Sequence, residues 1–227
     1  MDALPEQQAE ETTDPDCDDR TESLMRTLEE FLGHLPRPTR LVVYADAEGR
    51  WSEREAINLG QMLADTFDNI SFEHRPRRPN YDFWPVIAVM GLEVDEEIDL
   101  GLRIIGLPVG VQITSLVGAI QAMAFRGQQL EPLTRIRLAK LPAKVDIELV
   151  THGGDETGAV MAGRCFSFAA ASDKIRTFLI MADDFPTVLD RHGVHEMPHA
   201  VLNNNVHIEG EIDEDGLLRH LAKAAGR

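Results

Sequence analysis

An α/β fold made of two successive versions of one unit is the class this sequence predicts, and three observations predict it. Short runs rich in Val and Ile alternate with segments of helical period along the chain. The order strand, helix, strand, helix, strand, strand, helix is met in full from residue 145 onward and, with one helix missing, from residue 40 to residue 125. Each version also sets a proline, Pro85 or Pro198, at the head of its third strand.

Order is expected to begin near Thr21. Leu24, Leu28, Phe31, Leu32 and Leu35 recur at helical spacing, and the helix must stop before Pro36 and Pro38. Arg40 to Tyr44 is a short strand, Asp46 to Ser52 a polar loop, and Ala56, Leu59, Met62, Leu63 and Phe67 mark the apolar face of a helix. Ile70 to Phe72 alternates as a second strand. The proline-rich stretch Arg75 to Pro79 then stands where a helix is due. Pro85 to Met90 and Leu102 to Ile105 read as strands joined by an acidic turn, Glu93 to Asp99. Gln112 to Phe125 is an apolar helix, and Leu133 to Leu141 a connector helix.

The second version follows with strand Val145 to Val150, helix Glu156 to Ala171, strand Ile175 to Met181 and a short helix, Phe185 to Arg191, ended by Gly193. Ala200 to Leu202 and Val206 to Ile208 flank Asn203-Asn204-Asn205, a hairpin turn because Asn tolerates positive φ. Asp213 to Ala224 closes the chain as a helix. The opening strand, helix and strand of each unit make a parallel pair through a right-handed crossover. The division expected is a disordered acidic tail over 1–20, a first unit over 21–142 and a second over 143–227.

Residues 1–19 hold eight acids, two prolines and no aromatic or β-branched apolar residue, too little apolar surface to offset the entropy of ordering. The 227 residues carry 22 basic and 39 acidic side chains, a net charge of −17. Such a field repels nucleic acid and anionic membrane surfaces and suits a basic protein partner. No apolar run is long enough to span a bilayer, and no leader-like segment opens the chain, so a cytoplasmic protein is expected. The two cysteines, Cys17 and Cys165, are too few for a zinc site built on cysteines and too dissimilar in setting for a disulfide framework.

Val194-His-Glu-Met-Pro198-His-Ala-Val-Leu-Asn203 and Phe83-Trp84-Pro85-Val-Ile-Ala each place an X-Pro bond, a candidate for the cis form, before a strand. Gly106-Leu-Pro108-Val-Gly110-Val-Gln-Ile-Thr-Ser115-Leu116 ends the first unit. These stretches, in this element order, resemble the tandem thioredoxin-fold proteins: the N-terminal domain of the alkyl hydroperoxide reductase flavoprotein subunit and the archaeal, glutaredoxin-like protein disulfide oxidoreductases. The resemblance covers residues 22 to 225 and implies two thioredoxin-like folds, each with a peptide-binding groove beside its cis-proline. Met197-Pro198 and Trp84-Pro85 are the groove positions it implies.

It also implies a Cys-x-x-C between the first strand and first helix of each fold. The matching residues are Asp155, Glu156, Thr157 and Gly158 in the second fold and Arg50, Trp51, Ser52 and Glu53 in the first, and none is cysteine. Exchange needs one thiolate to attack and a second thiol to resolve the mixed disulfide. Asp155 and Glu156 suit the positive helix start as capping carboxylates but lack that chemistry. Two function classes stay open. One is a redox-inactive module that binds a protein partner or assembles through the degenerate groove, with no catalytic residue, metal or cofactor and with oligomers possible. The other is a disulfide oxidoreductase or peroxidase-system component that uses Cys165, which shares an apolar helix face with Met161 and Phe168. His152, His195 and His199 are either a small acid-base or metal group near Asp155 and Glu156 or polar residues around the groove; no ligand spacing favours a metal. Arg75, Arg77 and Arg78 either pair with the acidic tail or stay solvated, and Trp84 is either core or groove floor.

Overall fold

Eight of the apolar runs become strands, and all eight join one sheet. The computed structural model describes residues 25–94 and 96–226, so the expected tail over 1–20 and Cys17 lie outside the described residues. Helical residues 25–32 (α1) lead into β1 (Thr39–Tyr44), α2 (Trp51–Thr66), β2 (Ile70–Arg75), β3 (Val86–Glu93) and β4 (Glu96–Ile105). A short 3-10 turn, Gly110–Gln112, precedes α3 (Ile113–Phe125) and α4 (Pro132–Ala139). Then come β5 (Val145–Thr151), α5 (Glu156–Ala171), β6 (Ile175–Met181), α6 (Thr187–His192), β7 (His199–Leu202), β8 (Val206–Glu209) and α7 (Glu214–Ala225). As expected, no helix stands between β2 and β3, where α6 stands between β6 and β7.

The strand order is β2-β1-β3-β4-β6-β5-β7-β8. β1 with β2 and β5 with β6 are the crossover-linked parallel pairs, while β3 and β7 run antiparallel to their neighbours. The two groups of four meet at a parallel joint in which Leu102 to Ile105 of β4 lie beside Thr177 to Ile180 of β6. Side chains alternate across the sheet. Leu41, Val43, Ile87, Ile147 and Leu149 face the helices α2, α3, α5 and α7, in a core that includes the fully buried Phe166 and Phe168. Burial of side chains that size stabilises by about 1.5–3 kcal/mol each. Val42, Tyr44, Val86 and Val150 face the other way, where α6 and the 78–85 loop cover a smaller core.

Three elements differ from expectation. The acidic stretch Glu93 to Asp99 is mostly strand rather than turn, because arginines on neighbouring elements neutralise it. Glu97 on β4 receives Arg40 and Arg75, each at 2.8 Å, and Asp99 receives Arg103. Arg75 accordingly belongs to β2 and not to the loop. α1 ends before Leu35, with the Gly33 amide closing its last turn onto Glu29 at 2.9 Å. The hairpin turn agrees with expectation: Asn203 and Asn204 take positive φ values, 49° and 58°.

Candidate functional site

The loops after β1 and β5 both lie at the carboxyl ends of parallel strands, where open α/β sheets gather functional groups. In the first loop Arg50 caps α2, and Glu53, three residues on, reaches back in a capping box. The Glu53 side chain is fully buried. It accepts hydrogen bonds from the Asp46 amide at 2.8 Å, the Arg50 amide at 3.3 Å and Arg77 Nε at 2.8 Å, with a second Arg77 nitrogen on its other oxygen. Burial pushes this carboxyl up, but the Arg77 bonds and the two backbone amides outweigh it and hold it below the ordinary range. Arg50 Nη2 donates to the Trp84 carbonyl at 2.7 Å, which ties this loop to the Trp84–Pro85 bond; that bond is cis. Trp51 stands 60% exposed, Ser52 is buried, and the indole N–H of Trp84 is buried without an acceptor.

In the second loop Asp155 is the N-cap of α5. One carboxylate oxygen accepts from the Gly158 amide and the Thr157 hydroxyl, both at 2.8 Å, and the other from the Thr151 hydroxyl at 2.9 Å. Gly158 is a matter of space: a Cβ there would collide with Thr151 Oγ1 and with the Asp155 carboxylate. The volume a second thiol would need is filled. Glu156 is exposed. The Met197–Pro198 bond is also cis, but no hydrogen bond among the described residues joins it to 155–158.

The end of the first unit holds this second loop in place. Gln112 Nε2 donates to the Asp155 carbonyl at 2.8 Å, the His152 carbonyl at 3.1 Å and Thr151 Oγ1 at 3.2 Å. Gly110, at φ 58°, lies so close to the Gly153 carbonyl that no Cβ fits. Asp183 accepts from the Gly153 amide at 2.6 Å and Asp184 from the Leu107 amide at 2.7 Å. Gln112, Asp183 and Asp184 carry no local pattern that marks them; only the Gly106 to Leu116 stretch points to their neighbourhood.

Two readings stand for His152, His195 and His199, and no hydrogen bond among the described residues joins them into one acid-base group. His152 accepts from the Gly154 amide at 3.1 Å, within its own loop. His195 is exposed, and His199 is buried on β7 against His207 because alternation along the strand turns it to the α6 side. Among the described residues no three His, Cys, Asp or Glu side chains are grouped to hold a metal ion. Arg75 and Arg77 are not free for a tail either: Arg75 pairs with Glu73 and Glu97, Arg77 pairs with Glu53, and Arg78 lies over the Tyr44 ring at 4.6 Å.

Cys165 is fully buried, and burial pushes its thiol up to about 12. It sits among core side chains of α5, away from both loops. Where the first unit lacks its helix, a groove of about 580 Å³ crosses the sheet face at the β4–β6–β5 joint, lined by Arg103, Arg176, Arg191, Asp146 and Glu148 among others. No helix among the described residues is long and apolar enough to cross a membrane.

No family model matches this sequence, and no curated protein matches it. Solved structures do. The NTD_N/C domain of the alkylhydroperoxide reductase AhpF from Enterococcus faecalis (V583) superposes with a TM-score of 0.80 at 19% identity, over 88% of this chain and 98% of that one. A protein disulfide oxidoreductase from Aeropyrum pernix K1 gives 0.79 at 19% identity, over 90% and 93%. Sso1120 from Sulfolobus solfataricus gives 0.57 at 13% identity, over 82% and 98%. These likenesses establish the fold as the mixed α/β, thioredoxin-like architecture that the first two share along most of their length.

Proposed function

We propose that this chain is a redox-inactive, cytoplasmic member of that architecture that binds a protein partner through the surface around its degenerate motif positions. Two thioredoxin-like units, over 21–142 and 143–227, would each contribute one loop to that surface. The observation that carries the reading is the state of the two motif positions: Glu53 and Asp155 are carboxylates saturated by internal hydrogen bonds, and Gly158 leaves no room for a thiol. Neither forms a mixed disulfide, and a thiol with a value of about 12 supplies almost no thiolate at neutral pH.

What stays available is binding. Exposed Arg50 donates to the Trp84 carbonyl at one cis-proline bond, exposed Trp51 follows it in the chain, and half-buried Met197 precedes the other cis-proline. A strongly acidic chain associates fastest with a basic partner.

The test has two arms. Insulin reduction by dithiothreitol is expected to run at the same rate with and without the purified protein, and Cys165 to resist a thiol reagent until denaturant is added. Acceleration of the first or rapid labelling in the second would favour the oxidoreductase class instead. For binding, affinity capture with wild type and Trp51→Ala is compared: the specific partner is expected to weaken about tenfold or more in the variant. Equal retention of every captured protein would move the surface elsewhere.

A further inference from the structure

His199 opens β7, directly after Pro198, and is 1% exposed. Its Nε2 lies 2.9 Å from Nδ1 of His207 on β8, the two rings edge to face, and its own Nδ1 is buried with no partner. A third imidazole, His192 at the end of α6, is 7% exposed and stands 3.0 Å from Glu148 Oε2 on β5, without the angle of a hydrogen bond. The other charged or titratable groups around these rings are Asp146 on β5, Arg191 on α6, His195 in the loop after α6, Glu209 on β8 and Asp82 across the groove.

This packing has room for few protons. A hydrogen bond between two imidazole nitrogens needs one N–H and one lone pair. A second proton on the His199–His207 pair sets two N–H groups head to head, and it gives the buried Nδ1 a cationic N–H with no acceptor, a costly state. Burial and then His207 hold His199 below the ordinary 6.5, with Glu209 pulling the other way. Burial, Arg191 and His207 do the same to His192. Burial holds Glu148 above its ordinary value, with Arg191 opposing and Asp146 and Asp82 assisting.

We infer that buried His199 and exposed His207 form a proton-operated latch inside the β7–β8 hairpin: with one proton between the two rings they close the hairpin at its Pro198 end, and with both rings protonated they loosen it. The hairpin begins directly after Met197–Pro198, so its loosening regulates the surface proposed above for a partner. Only that consequence rests on the binding reading; the latch itself operates without any ligand. The direction follows from proton counting. A lowered imidazole binds fewer protons folded than unfolded, so its stabilising effect is complete above 6.5 and is lost as pH falls below it. Glu148, shifted upward, works in the opposite sense in the lower part of the range, as one group against the two lowered imidazoles, His192 and His199.

The experiment is amide hydrogen exchange of the whole protein between pH 7.5 and 5, corrected for intrinsic rates, with a parallel NMR titration of the imidazole carbons. Protection of the β7 and β8 amides is expected to fall about tenfold or more per pH unit below 6.5, while β1 and β3 amides hold. His199→Phe, neutral at every pH, is expected to abolish that slope. Should that variant fail to fold, His207→Gln keeps a partner for His199 without the second charge, and its slope is expected to flatten. An unchanged slope in a folded variant, or His199 titrating at or above 6.5 with β7 protection constant, overturns the latch.

Discussion

Asp155 occupies the start of α5 as an anion would, yet spends both oxygens on its own chain. Its replacement by Ala removes the cap of a 16-residue helix and strands the Gly158 amide. The expected loss is about 1–2 kcal/mol, read as a lower urea midpoint at constant m-value, with Asp155→Asn recovering most of it. The capping role was legible in the sequence, because an acid ahead of a helix-period run is a start mark of known physical origin. The saturation was not. Thr151 and Thr157 read as ordinary strand and helix residues, and only the fold places their hydroxyls on one carboxylate. Likewise His199 could be seen beside the proline, but its partner His207 comes from the far side of the Asn turn, at a separation no local pattern encodes.

At the scale of elements, the 3-10 turn before α3 does more than connect. It carries Gln112, whose single amide group serves two carbonyls and a hydroxyl of the second loop. Gln112→Ala leaves those buried acceptors short of a donor, and about 1–3 kcal/mol of stability is expected to go with them, checked by chemical unfolding. If the 152–155 amides kept their exchange protection in that variant, the turn would not be what holds the loop. The element order was predictable throughout, from β-branched runs and helix period, and so was the missing helix, from its prolines. The extent of β4 was not. Its first half is acidic, and only arginines contributed by β1 and β2, more than twenty residues away in sequence, make it a strand.

At the scale of the molecule, one apolar cluster runs from α1 to α7 without a break, and the β4–β6 pairing stitches the two groups of strands together. A single cooperative transition is therefore expected at pH 7.5, with calorimetric and van't Hoff enthalpies equal; two resolved transitions would show that the units at 21–142 and 143–227 melt independently. The joint has a further consequence. Because β4 and β6 run parallel, the second unit repeats the first by displacement along the sheet and not by a twofold axis, so the joint is heterologous and has no built-in closure. A third unit, or another molecule, would find the same geometry on offer at β8 and β2, as monomers do in a filament. The register distinguishes the rims from the joint: where β4 brings Ile104 and Ile105 to Leu179 and Ile180, the outer strands carry Ile208 and Glu209 on one side and His74 and Arg75 on the other. Ionisable side chains at both rims are of the kind that blunts edge-to-edge pairing, in a fold whose joint has no geometric limit of its own.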